Sequence, residues 1–79
     1  MMARVYVSLK KSVADPQGQT IKKALNDIGY EGVAEVRVGK FFDISYDGDL
    51  ENLERVLKEI SEKVLANPVI EEFVIEESA

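Results

Sequence analysis

No pair of side chains in this sequence makes a conventional nucleophilic site. A serine or threonine nucleophile needs a base that titrates near neutrality, usually His, and the chain has no His. It also has no Cys, so thiolate chemistry and Cys/His metal sites are excluded with it. Carboxylates and cations remain. Asp47-Gly48-Asp49-Leu50-Glu51 comes nearest to a metal motif. A calcium loop counted from Asp47 needs Gly at position six and Glu at position twelve, and Asn52 and Lys58 stand there. A turn followed by a capped helix explains the segment instead. Lys10-Lys11-Ser12 ahead of Asp15-Pro16-Gln17-Gly18 places two cations near a helix start, where an anion can sit. Asp15 competes for the same amides, and Pro16 has no N–H to offer. Arg37 and Lys40 could bind a phosphate or a partner's carboxylate. Glu71 and Glu72 are strand neighbours and point to opposite sides, so they cannot act as a catalytic pair from one face. Tyr6, Tyr30 and Tyr46 lack the close spacing of an RNA-stacking sheet.

The elements that would position these residues follow from periodicity. Ala3 to Leu9 alternates, with Val5, Val7 and Leu9 on one side and Arg4, Tyr6 and Ser8 on the other, as in a half-buried strand. Asp15-Pro16 opens a helix, with Asp15 as cap and Pro16 at the first helical position. Ile21, Ala24, Leu25 and Ile28 recur at helical spacing, and Gly29 closes the helix. Val33–Val38 and Phe41–Tyr46 read as two strands of a hairpin turning at Gly39-Lys40. Asp49 caps a second helix. Its apolar stripe runs Leu50, Leu53, Val56, Leu57, Ile60, Val64, Leu65, and its other face carries Glu51/Arg55, Glu54/Lys58 and Glu59/Lys63. Asn67-Pro68 stops that helix. Val69 to Glu76 is the last strand, with 77–79 frayed. The order is β-α-β-β-α-β. The expected fold is α+β, with two helices on one face of an antiparallel sheet, ferredoxin-like or a close variant. Phe41 and Phe42 are consecutive, so one of them must face away from the helices, where a second subunit is its expected cover.

Size and charge narrow the function classes. With 79 residues the chain is one domain, and a core this small supplies about 3–5 kcal/mol. Without disulfides the commonest added support is another chain, and an open sheet has edges to offer one. Cysteine absence favours a cytoplasmic home, and the N-terminus lacks the features of a signal peptide. Net charge is −5. Residues 1–46 carry a net +2 and residues 47–79 a net −7. The acidic balance argues against nucleic acid and anionic membrane and leaves solubility, or a basic partner surface, as its use.

Val5-Tyr6-Val7-Ser8-Leu9-Lys10, Asp15-Pro16-Gln17-Gly18, the stretch from Ala24-Leu25 to Gly29-Tyr30, Val36-Arg37-Val38-Gly39-Lys40 and Leu65-Ala66-Asn67-Pro68-Val69-Ile70-Glu71 together resemble the PurS family, in the family's order and over nearly the whole chain. Ala14 departs from the Leu common before the DPQ run. The resemblance implies a small non-catalytic subunit of phosphoribosylformylglycinamidine (FGAM) synthase. That enzyme uses ATP, with Mg, and glutamine to make formylglycinamidine ribonucleotide. The small subunit would bind no cofactor itself. It would associate as a dimer or tetramer, and it would join a large synthetase subunit to a glutaminase subunit so that ammonia passes between them. The family's motifs make Asp15, Pro16, Gln17, Gly18, Arg37, Gly39 and Lys40 the candidate partner-binding residues. The competing readings are an ACT-like regulatory domain that binds small molecules, or an acyl phosphate hydrolase of the same element order. Against them, Lys11-Ser12-Val13-Ala14 has no Gly for a ligand loop and no Arg for a phosphate cradle.

Overall fold

The computed structural model describes residues 1–78. Three strands form one antiparallel sheet in the order β2-β1-β3: β1 (Met2–Leu9), β2 (Gly39–Ser45) and β3 (Glu71–Ser78). Two helices, α1 (Pro16–Asp27) and α2 (Leu53–Ile60), complete the α+β fold. β1 is central. Tyr6 faces Phe41 on one side and Val74 on the other, while Val5 faces Phe42 and Ile75.

The core lies between the sheet and α2. Ala3, Val5 and Val7 are buried on one face of β1, as their alternation predicts, and Leu53, Leu57 and Ala66 are buried against them. Phe42 packs on the Val5/Val7 side, whereas Phe41 points to the opposite face and is exposed. The adjacent pair therefore splits across the sheet as the pleat requires.

Both ends of α2 depart from regular α geometry. Asp49 caps a short 3₁₀ turn (Leu50–Asn52), accepting from the Glu51 amide at 2.9 Å. At the other end Ser61–Leu65 forms a π turn, closed by the Ala66 amide donating to Ser61 O at 2.9 Å. Ser61 is buried and its hydroxyl donates back to Leu57 O at 2.7 Å. These turns correct the expected stripe, because Leu50 and Val64 swing out of phase and are exposed. They also correct the charge pairing. Arg55 pairs with Glu59 at 3.1 Å, since Glu51 lies on the 3₁₀ turn and Lys63 on the π turn, where i, i+4 neighbours no longer stack.

The fourth strand and the hairpin are not formed. Residues 33–38 form no strand, and Gly39 already sits in β2 opposite Ser8 instead of turning. The expected partner groups are engaged elsewhere: Asn26 Nδ2 donates to Val33 O at 3.3 Å, and the Val38 amide donates to Asp15 Oδ2 at 2.7 Å. Nor does α1 lie on the sheet. It makes no substantial packing contact with the sheet or with α2. Residues 10–38 form an arm, and the chain measures 51 × 27 × 14 Å. α1 ends as its sequence indicates. Gly29 takes φ 112°, and the Tyr30 amide donates to Leu25 O at 2.9 Å.

The last strand begins two residues late, because Asn67–Glu71 makes a turn in which the Glu71 amide donates to Asn67 O at 2.7 Å. β3 then pairs through Ser78, where fraying from residue 77 was expected; Ala79 lies outside the described residues.

Candidate partner-binding surface

The two family motifs, far apart in sequence, meet at the root of the arm. Asp15 is buried. Its carboxylate accepts from the Gly18 amide at 2.9 Å and the Val38 amide at 2.7 Å. One oxygen caps α1 and the other clasps the returning chain. Those two amides, the Val38 one first, hold the carboxyl below its ordinary value; burial opposes them and the Arg37 charge assists. Arg37 donates through Nη2 to Lys10 O at 3.0 Å and Val13 O at 2.9 Å, fastening the outgoing connector to the returning one. At Gly18 a Cβ would collide with Val36 O. Only Gly lets the two segments approach this closely.

Of the seven candidate residues, Asp15, Gly18 and Arg37 thus hold the arm root in shape. Pro16, Gln17, Gly39 and Lys40 are exposed around it. Asp15, Gln17, Gly39 and Lys40 line one recess of about 470 Å³, walled further by Val7, Leu9 and Glu71. Lys40 Nζ lies 5.7 Å from the centre of the Phe42 ring. The anion-binding alternative loses its helix start, because the Asp15 carboxylate already takes the Gly18 amide. Likewise Asp49, in the calcium-loop reading, is engaged with Glu51 and Asn52.

Two surfaces were missed wholly or in part by the sequence reading. The apolar side of α1 is uncovered, with Ile21 37% and Ile28 71% exposed. The sheet face away from α2 carries Tyr6, Phe41 and Val74 in one cross-strand row, beside an Arg4–Asp43 pair with Nε–Oδ1 2.7 Å and Nη2–Oδ2 3.2 Å. Asp43 raises the Arg4 pKa, and Arg4 holds the Asp43 carboxyl below its ordinary value. Alternation placed Tyr6 on that face, but the row exists only once the register is known.

Fold and surface define a class: a small α+β domain that leaves an arm, two sheet edges and one sheet face open among the described residues. Comparison with known proteins is specific within that class. The family model described as PurS, phosphoribosylformylglycinamidine (FGAM) synthase, matches residues 2–79. A PurS subunit from Methanocaldococcus jannaschii is 46% identical over 76 residues, covering 92% of this chain and 89% of that one. A Bacillus subtilis PurS crystal structure superposes with TM-score 0.89 at 42% identity, covering 98% of each chain. A chain in a structure of PurLQS from Thermotoga maritima does so with TM-score 0.80 at 27% identity, covering 99% of each. This chain belongs to the PurS family of FGAM synthase subunits.

Proposed function

We propose that residues 1–79 are a single PurS-like domain acting as the non-catalytic subunit of FGAM synthase in purine biosynthesis. It joins a large synthetase subunit to a glutaminase subunit and is needed for ammonia to pass from one to the other. The observation that carries this reading is the full-length match in sequence and shape, which extends to a chain of a PurLQS assembly. The missing His and Cys fit a chain that leaves the chemistry to its partners. ATP and Mg then belong to the complex and not to this chain. The work takes place in the cytoplasm, which a cysteine-free small domain fits. No helix of the described residues is long and apolar enough to cross a membrane.

The chain acts as a homo-oligomer. Ile21 on α1 and Ile28 at its C-cap are exposed, and the buried apolar core of Ala3, Val5, Val7, Leu53, Leu57 and Ala66 is small. A second copy supplies what the expected four-stranded order lacks. The uncovered side of α1 is where that copy would bury apolar area. Exchange of one element between copies is a low-cost route to such a pair. The exposed Pro16, Gln17, Gly39 and Lys40 form a surface read by the partner subunits, shaped by Asp15, Gly18 and Arg37.

The test is product formation from formylglycinamide ribonucleotide, ATP and glutamine by the cognate synthetase and glutaminase, with and without this chain. Glutamine-dependent activity should require the chain, while ammonia-dependent activity should need the synthetase alone. Equal glutamine-dependent activity without it refutes the role. Replacing the exposed Lys40 together with Gln17 by Ala should weaken assembly and leave the homo-oligomer intact on size exclusion. Unchanged assembly removes both from the surface.

A further inference from the structure

The sheet face turned away from α2 has its own pattern. Phe41, Tyr6 and Val74 stand opposite one another across all three strands. They are 53%, 39% and 64% exposed. Contiguous apolar surface of this kind, rimmed by charge, marks an interaction site on a protein surface. The row is ordered: the Arg4 guanidinium lies 4.1 Å over the Phe41 ring, and the Tyr6 and Phe41 ring centres are 6.2 Å apart. Arg4 is neutralised by Asp43. The remaining ionised side chains in register on this face are Glu76, opposite Arg4, and Glu72, opposite Ser8. They bracket Val74 along β3, and both are exposed.

We propose that this face docks a different chain of the FGAM synthase complex. The occupant is an apolar segment that fills the Phe41–Tyr6–Val74 row and carries Lys or Arg placed to meet Glu72 and Glu76. The inference rests on the subunit role proposed above and assigns that role a second surface beyond the arm root. Charge decides against a second copy as occupant. Two such faces stacked on each other would set Glu72 and Glu76 of one copy against the same carboxylates of the other, in a chain already at −5. Like charges across an interface reject a partner, and opposite charges steer one in. A chain that joins two unlike proteins also needs more than one surface.

The test measures binding of the full-length chain to the purified cognate synthetase and glutaminase. The variants are Glu72→Lys with Glu76→Lys, Glu72→Gln with Glu76→Gln, and Phe41→Ser. The double reversal should weaken complex formation by at least roughly tenfold and the double Gln variant by less. Wild-type affinity should fall as salt is raised past about 0.15 M. Phe41→Ser should weaken binding without changing that salt dependence. Size exclusion and thermal unfolding of each variant alone should match wild type. If the double reversal assembles as well as wild type, docking on this face is overturned and the subunit role stands. If it breaks the homo-oligomer instead, the face pairs copies and the proposal is equally overturned. If wild type itself neither assembles nor restores glutamine-dependent activity, the subunit role falls and this docking falls with it.

Discussion

The half of the chain made of β1, β2, β3 and α2 holds itself together by burial; the arm, residues 10–38, does not. Every buried apolar residue belongs to the first half or to the turn that follows α2. The arm's buried residues are Asp15 and Gly18, a carboxylate and a residue without a side chain. One region is therefore stabilised by apolar area removed from water, at about 1.5–3 kcal/mol for each large aliphatic side chain. The other is aimed by hydrogen bonds at its root and leaves its apolar side open. Burial tells the first half how to fold. Polar contacts tell the arm only where to point, and another chain must supply its burial.

The sharpest way to break this contrast is at Leu57, which is fully buried between α2 and β1. Leu57→Ala should cost about 2–5 kcal/mol, a large part of a small domain's stability. Chemical denaturation should show the whole chain unfolding at lower denaturant, arm included. Next comes Ile21→Glu with Ile28→Glu. It removes no buried contact of the isolated chain, so circular dichroism should keep its helical signal while size exclusion shows smaller particles. Persistence of the large species would place the pairing surface elsewhere than α1. Gly18→Ala is intermediate. The Cβ meets Val36 O, the returning segment must move away, and hydrogen exchange at Val38 should speed up while Val5 and Val7 stay protected.

The polar root also predicts a pH dependence. The Asp15 pKa is lowered on folding, so the unfolded chain binds the proton more tightly. Its stabilising contribution is complete above the ordinary carboxylate value of 3.8 and is lost as pH falls through the lower folded value. Asp43 contributes in the same direction through Arg4. Asp15→Asn should therefore flatten the acid limb of a melting-temperature profile while lowering the plateau by several degrees. An unchanged acid limb would mean that the carboxylate does not clasp the arm. The smallest effect belongs to Arg55→Ala. It removes an exposed i, i+4 pair and should cost no more than about 0.5 kcal/mol.

How far the sequence could be read follows the same division. In the packed half, alternation in β1 and the Leu53/Leu57 spacing identify the core directly, because burial writes a period into the residues. At the arm root, Asp15-Pro16 and Gly29 announce both ends of α1, since caps are local. The fourth strand failed because Val36 and Val38 report only an extended backbone. Nothing local says whether that backbone pairs with β2 of its own chain or yields its Val38 amide to Asp15. The outer row of Tyr6, Phe41 and Val74 was out of reach for the same reason, since register is a relation between segments. Of the candidate partner residues, the motifs located the cluster. They could not separate Asp15, Gly18 and Arg37, which fasten the root, from Gln17 and Lys40, which face outward.

The π turn after α2 acts as a phase shifter. One residue added to a regular helix rotates all that follows by about 100°, and a turn closed five residues back absorbs that rotation locally. Val64 is the residue thrown outward, 77% exposed, so that Ala66 drops onto Val5 and Val7. Deleting Val64 would give α2 a cleaner spiral and a worse core. The irregular turn is what keeps the chain on the sheet beyond the point where a regular helix would have rotated away.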